Sequence, residues 1–327
     1  MPDLATLTTE ERNPRTTHID QLSTLEMLTL IHREDAVVAT AVESQLPAIA
    51  RAVDAIAERF TRGGRLFYIG AGTSGRLGVL DASECPPTFS VPPTLVQGLI
   101  AGGDAALRKS SEHSEDSSEE GARDLAAAGF AIGTPTDSGA PSIAASSRWV
   151  GAGPSSATAT TDTLVGIAAS GRTPYVLGAL LRARSLGALT IGLSCVADSP
   201  VARNSDIAIT PVTGPEVITG STRMKAGTAT KLVLNMISTG VMVRTGAVYG
   251  NLMINVKPTN DKLIDRAQRI LMAATACDRP TAARLLIEAG SVKVAIAMHV
   301  LSLDRTAAVA RLDRANGSLA KALIPNT

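Results

Sequence analysis

The sequence predicts an α/β protein: a parallel β-sheet flanked by helices, followed by an all-helical C-terminal subdomain. Three observations carry this. Short apolar, strand-like runs alternate with helical periodicities between residues 65 and 244. Two of those runs lead into the same kind of turn, Gly70-Ala71-Gly72-Thr73-Ser74-Gly75-Arg76 and Ala169-Ser170-Gly171-Arg172-Thr173. From Asn260 onward the pattern is helical throughout. Strands that alternate with helices pair in parallel and need cover on both faces.

Taken in order, apolar residues between Val37 and Phe60 recur at helical spacing (Val38, Ala41, Val42, Leu46, Ile49, Val53, Ile56), and Gly63-Gly64 closes that helix. Arg65 to Ile69 reads as a buried strand. The first glycine turn follows, then a helix to about Ser83 that Pro86-Pro87 ends. Val96 to Ile100 is a second strand, with polar-faced helices expected around Ala105–Ser110 and Ser118–Ala128. Ala131–Thr161 is rich in Ser, Thr, Ala, Gly and Pro, holds the single Trp149, and reads as a flexible, non-catalytic insertion. Leu164 to Ala168 is the next strand. After its turn, Pro174 sits at a favourable first helical position and the helix runs to Leu186. Strands Leu189 to Leu193 and Ile207 to Ile209 precede a Gly-rich loop and a long helix from Met224 to Arg244. Helices Leu263–Ala276, Ala282–Glu288, Val292–Leu303 and Thr306–Arg314 complete the chain as a packing or dimerisation cap. The expected division is an N-terminal helical segment 1–60, a central domain 61–257 with the insertion at 131–161, and a helical subdomain 258–327.

Composition narrows the function. Of 327 residues, 45% are apolar and 19% charged, enough for a packed core. With 31 basic against 30 acidic residues the net charge is +1, so nothing draws the chain to nucleic acid or an anionic membrane. Aromatics at 2% leave no base-stacking platform. No apolar run reaches bilayer length and the N-terminus has no secretion signal, so a cytoplasmic protein is expected. Cys85, Cys195 and Cys277 are odd in number and far apart, which is no disulfide framework. His18, His32, His113 and His299 are scattered, and no Cys/His pair has ligand spacing, so neither a metal site nor a metal cofactor is expected.

The two turns carry the first functional signal. Glycines let backbone N–H groups crowd toward a ligand, hydroxyls add donors, and a helix N-terminus favours negative charge. Gly70-Ala71-Gly72-Thr73-Ser74-Gly75 also has dinucleotide-type spacing, but no acidic residue follows about 20 residues on to take a ribose hydroxyl, and there is no P-loop Gly-Lys-Ser/Thr ending. Tight turns needing small residues would explain one such loop; two of the same chemistry favour a phosphate group on a small ligand. Glu84, between a helix and the rigid Cys85-Pro86-Pro87, has apolar neighbours (Val79, Leu80, Phe89) that would raise its pKa toward that of a general acid. Glu115 lies in Glu112-His113-Ser114-Glu115-Asp116, which by composition reads as a solvated acidic face. A third loop, Thr213 to Thr228, is dense in hydroxyls and includes Glu216, Ser221, Arg223 and Lys225. It is either a capped helix start or a third wall of a polar pocket.

Long motifs then carry a resemblance over nearly the whole chain. They are Glu11-Arg12-Asn13-Pro14, Gly64 to Leu77, Leu80-Asp81-Ala82-Ser83-Glu84-Cys85-Pro86-Pro87-Thr88, Ile100-Ala101-Gly102-Gly103, Glu115-Asp116, Gly166 to Tyr175, Gly214-Pro215-Glu216 with Gly220 to Thr228, and Asn251-Leu252-Met253. In these the chain resembles the N-acetylmuramic acid 6-phosphate etherases of the sugar isomerase (SIS) superfamily; residues 131–161 have no counterpart in the pattern. The resemblance implies a flavodoxin-like (SIS) sheet with a helical C-terminal region, and a cytoplasmic homodimer with active sites near the subunit interface. It implies cleavage of the D-lactyl ether of a phosphorylated amino sugar by water, as part of amino-sugar catabolism and cell-wall recycling, with no cofactor. Carried over by motif, Glu84 is the acid/base at the ether oxygen and Glu115 the second catalytic carboxylate, against its compositional reading. Gly72, Thr73, Ser74, Gly75, Ser170, Gly171, Arg172 and Thr173 are the expected phosphosugar contacts, with Glu216, Ser221 and Lys225 beside them. A sugar-phosphate-binding regulator, like glucokinase regulatory protein, and an aldose–ketose isomerase of the same superfamily are the competing readings.

Overall fold

The computed structural model describes residues 9–109, 114–131 and 160–324. Helix α1 (Thr24–Asp35) opens with a capping box in which Ser23 and Glu26 exchange hydrogen bonds. The apolar periodicity after it is split into α2 (Val37–Glu43) and α3 (Leu46–Thr61) rather than forming one helix. Pro47 near the start of α3 has no N–H to give to the preceding turn, so the chain breaks before it, and the Gln45 side-chain oxygen takes the backbone N–H of Thr210 at 2.9 Å.

The core alternates β1 (Leu66–Gly70), α4 (Gly72–Phe89), β2 (Val96–Ile100), α5 (Ser118–Ala127), β3 (Thr163–Ile167), α6 (Pro174–Ser185), β4 (Leu189–Leu193), α7 (Pro200–Arg203), β5 (Ile207–Ile209) and α8 (Lys225–Arg244). The five strands pair in the order β2-β1-β3-β4-β5, every ladder parallel. One face packs on α2, α3, α4 and α8, through residues such as Ile56, Tyr68, Val165 and Ile237. The other packs on α5 and α6 around Phe67, Leu125, Leu164 and Leu180. This is the expected parallel sheet with helices on both faces.

Buried polar groups set the register of the sheet. Asp162, just before β3, accepts from the backbone N–H and guanidinium of Arg65, just before β1. Arg65 in turn lies 5.0 Å from the centre of the Phe67 ring. Across the second face α5 and α6 touch at glycines: a Cβ on Gly121 would fall 1.8 Å from Tyr175 O, and one on Gly178 would fall 1.9 Å from Ser118 O. Gly178→Ala is therefore expected to push the two helices apart and lower stability by about 1–3 kcal/mol, read as a lower urea midpoint. An unchanged midpoint would show that the contact is loose.

Three further expectations are corrected. Pro86-Pro87 do not end α4, which continues to Phe89 and stops at left-handed Ser90, φ 55°. Both prolines cost the last turn backbone donors, but Cys85 and Phe89 are buried in the core and hold that turn in place. The helix expected around Ala105–Ser110 is a short 3-10 turn at Asp104–Leu107. The sequence reading also lacked α1, α7 and a two-stranded antiparallel hairpin, β6 (Val248–Tyr249) with β7 (Leu252–Met253). The insertion expected at 131–161 lies, apart from its ends, outside the described residues.

Helices α9 (Asp261–Thr275), α10 (Arg279–Ala289), α11 (Val292–Leu301), α12 (Arg305–Arg314) and α13 (Leu319–Ala322) pack around their own core, which includes Leu271, Leu286 and Ile296. Lys293 on α11 donates to Gly246 O, just after α8, and to Gly317 O, and burial lowers its pKa to about 8. Among the described residues no helix is long and apolar enough to cross a membrane.

Candidate active site

Strand order determines where a ligand can sit. From β1 the chain crosses by α4 to β2 on one side; from β3 it crosses by α6 to β4 on the other. The carboxyl ends of β1 and β3, paired neighbours with Gly70 opposite Ile167, are therefore the point where the winding reverses, the usual place for a ligand in such sheets. The two glycine turns occupy that point.

The first turn is closed by glycines. A Cβ on Gly70 would meet Gly75 N at 2.7 Å, and one on Gly75 would meet Gly70 O at 2.6 Å. Gly72 has φ +51° with open space around it, so there glycine serves the backbone angle alone. In the second turn Gly171 has φ +68°, and a Cβ would fall 2.2 Å from the Ser199 side chain. Neither α4 nor α6 has a side-chain cap. The half-buried hydroxyls of Thr73, Ser74, Ser170 and Thr173 make no hydrogen bond to other described residues. The start of α4 thus keeps backbone donors and hydroxyls for something outside the chain, whereas at α6 the N–H groups of Tyr175, Val176 and Leu177 go to Glu115 O and Thr173 O, and the hydroxyls of Ser170 and Thr173 are what remains.

The third loop comes to the same place. A Cβ on Gly227, in the first turn of α8, would lie 3.6 Å from Thr73 Cγ2. Glu216, 1% exposed, caps that helix by accepting the backbone N–H groups of Lys225 and Ala226, each at 2.9 Å. Lys225 is fully buried and its Nζ donates to Glu34 Oε2 at 3.0 Å. Glu34 also accepts from Asn13 Nδ2 at 2.7 Å and from the Arg15 guanidinium. Above all the Arg15 guanidinium, then Lys225 and Asn13, bring its pKa down to about 2 against the opposing effect of burial. Asn13 also donates to Pro215 O, and Thr16 to Val217 O, so the N-terminal segment straps the loop down. Glu216 and Lys225 are engaged inside the protein, while Ser221 remains at the half-buried loop tip.

The two catalytic candidates are set differently. Glu115, exposed, stands before α5, and its carbonyl accepts the Tyr175 N–H at 3.1 Å. That bond ties its backbone to the first turn of α6, beside Thr173. Glu84 is exposed on α4 and not enclosed by its apolar neighbours. It lines a cavity of about 200 Å³ between α4 and α8, together with Leu80, Asp81, Lys231 and Asn235. Eleven residues of helix separate it from Thr73, about 16 Å along the axis. Below it the buried Asp81 carboxylate accepts from Tyr68 Oη (2.9 Å), Asn235 Nδ2 (2.7 Å) and Ser238 Oγ (3.1 Å), pinning α4 to β1 and α8. Burial, with Asp81 and Glu84 close by, pushes the neighbouring Cys85 thiol up to about 12. Glu34, Asp81 and Lys231 were missed by sequence reasoning. Asp81 stands inside a quoted motif, whereas Glu34 and Lys231 carry no local signal.

Comparison with known proteins bears on what uses these groups. The SIS domain matches residues 152–239, and the glucokinase regulatory protein N-terminal SIS domain matches residues 48–146. An N-acetylmuramic acid 6-phosphate etherase from Aeromonas hydrophila is 51% identical over 320 residues, 98% of each chain. One of the same name from Cronobacter sakazakii is 52% identical over 324 residues, 99% of this chain and all of the other. The chain belongs to the N-acetylmuramic acid 6-phosphate etherase family. A putative phosphosugar isomerase of Bacteroides fragilis shows a weaker likeness in structure, with TM-score 0.45 and 19% identity over 68% of this chain and 92% of that one. Of the segments that carried the resemblance, two hold the glycine turns, Leu80 to Thr88 lies on α4, and Glu11 to Pro14 and Gly214 to Thr228 supply the strap and the loop joined by Glu34, while Asn251-Leu252-Met253 falls at the β6–β7 hairpin.

Proposed function

We propose that this protein cleaves the D-lactyl ether of N-acetylmuramic acid 6-phosphate with water, giving N-acetylglucosamine 6-phosphate and D-lactate. What supports this most is half-identity with etherases over nearly the full chain; Glu84 and Glu115 stand in the motifs that carry the resemblance. An alkyl ether resists direct hydrolysis because an alkoxide leaves badly. Opening the sugar to its aldehyde makes the C2 proton acidic and puts the C3 ether β to the carbonyl. Glu115 takes the C2 proton, the C3–O bond breaks, and Glu84 protonates the departing lactate oxygen. Glu84 then takes a proton from water as its oxygen adds to C3 of the unsaturated aldehyde, and C2 is reprotonated. No metal or redox cofactor is needed for this sequence.

The phosphate is held by Gly72, Thr73, Ser74, Gly75, Ser170, Gly171, Arg172 and Thr173, with Ser221 at the rim. The hydroxyls of Thr73, Ser74, Ser170 and Thr173, which bond to no other described residue, support this, as remote binding energy that positions C2 and C3. Glu216 and Lys225 place the third loop and do not touch the sugar. The separation of about 16 Å along α4 exceeds the reach of one phosphosugar, which supports a homodimer in which the α4–α8 face of one copy meets the turns of the other. The chain works in the cytoplasm, in amino-sugar catabolism and cell-wall recycling.

Turnover in D₂O should place deuterium at C2 of the product, and in H₂¹⁸O should place label at the C3 oxygen. Retention of the original C3 oxygen would eliminate the elimination–addition route. The match to a regulatory protein's domain favours one rival, a sugar-phosphate sensor without turnover. Absence of D-lactate from incubations with the muramic acid phosphate would decide for it.

A further inference from the structure

The cavity beside Glu84 is small. At about 200 Å³ it falls below the roughly 300–1,000 Å³ of sites that enclose a whole small-molecule ligand. It has room for one arm of a substrate. Leu77, Leu80 and Leu234 supply apolar lining, and Glu84 on α4 and Lys231 on α8 supply opposite charges. Leu77, Asp81 and Glu84 lie on one face of α4, and Lys231, Leu234 and Asn235 on one face of α8, each set at helical spacing, so the cavity is built by the packing of these two helices. Lys231 makes no ion pair with any described residue, and Glu84 makes none either. The floor is rigid. Asp81 fixes the Asn235 amide by its 2.7 Å hydrogen bond, and that amide has a second N–H hydrogen to offer.

We infer that Lys231 is a specificity-determining residue that binds the carboxylate of the lactyl group, with the three leucines around the lactyl methyl. The inference rests on the etherase reading, in which Glu84 protonates the departing lactate oxygen. That oxygen is one carbon away from both the carboxylate carbon and the methyl carbon of the same group. A glutamate placed at the ether oxygen therefore brings the substrate carboxylate close to itself, and once Glu84 has given up its proton the two carboxylates repel each other unless a cation stands opposite. Among the residues lining this cavity Lys231 is the cation. Its long, flexible stem on an exposed helix face lets the ammonium follow lactate as the C3–O bond breaks. The pairing also sets selectivity: a neutral 3-O-substituent would leave Lys231 without its partner and Glu84 without the group that orients its proton.

The test compares two substrates, N-acetylmuramic acid 6-phosphate and its lactamide analogue, in which the carboxylate is a neutral primary amide. The wild-type protein should prefer the carboxylate by about 10–100-fold in kcat/KM, the range expected for a charge-assisted contact. Lys231→Met should lose most of that preference, because it slows the carboxylate substrate and leaves the amide within about twofold. Lys231→Arg should keep more of the preference than Lys231→Met. Inhibition by added D-lactate should weaken in parallel. Equal losses on both substrates would make Lys231 a structural residue and overturn the inference, as would an unchanged preference. Failure of the wild-type protein to release D-lactate at all would instead overturn the etherase reading, so the two failures are told apart.

Discussion

Glu84→Gln is expected to lower D-lactate release by about 10²–10⁴-fold, the usual contribution of a positioned general acid or base. The side chain keeps its size and loses only the proton it gives and takes. Glu84 is exposed and its side chain makes no hydrogen bond or ion pair to other described residues, so the variant should fold normally by circular dichroism. The fall should appear in kcat rather than KM, since the phosphate anchor in the glycine turns is untouched. On the proposed route Glu115 takes the C2 proton, so exchange of the C2 hydrogen should persist in this variant and vanish in Glu115→Gln. Near-normal turnover in Glu84→Gln would remove it from the acid/base role and leave the α4–α8 cavity without chemistry to serve.

Glu34→Gln should have the largest effect on stability. The wild-type carboxylate faces the fully buried Lys225 ammonium, the Arg15 guanidinium and the Asn13 amide. Taking its charge away leaves Lys225 buried without a counter-ion, a situation that costs about 3–5 kcal/mol. The pH dependence gives a second signature. Because the folded-state pKa is held at about 2, below the ordinary 4.5, the pair contributes stability that is complete above about pH 4.5 and is lost as pH falls toward 2. The difference corresponds to about 3 kcal/mol. Urea midpoints measured from pH 7 down to pH 2 should therefore fall steeply in the wild type below pH 4.5. In Glu34→Gln they should start lower and fall less. Parallel curves for the two proteins would mean that Glu34 is not ionised in the folded state. Because this cluster straps residues 13–16 onto the third loop, the variant should also bind phosphosugar more weakly.

The order of strands and helices was legible from the chain because its causes are local. A buried strand reads as a short apolar run, a helix repeats every 3.6 residues, and turns of this kind need glycine at positions such as 72 and 171. The same locality explains the errors. Proline punctuation suggested that α4 ends near Ser83, yet burial of Cys85 and Phe89 carries the helix through Pro86 and Pro87. A continuous apolar period suggested one helix from Val37 to Phe60, yet Pro47 divides it.

Sequence alone determined the fold class, the two hydroxyl-rich turns at strand ends and, through long motifs, the family. Only the tertiary structure decided which polar residues hold the architecture and which face outward. Glu34 and Lys225 meet across 191 positions, and Asp81 meets Asn235 across 154. Packing of α4 on α8 alone makes Glu84 and Lys231 neighbours in one cavity. A contact between distant segments leaves no periodicity behind in either one. Its energy comes from excluding water around a specific pair of charges, and that condition exists only once the chain has closed around them.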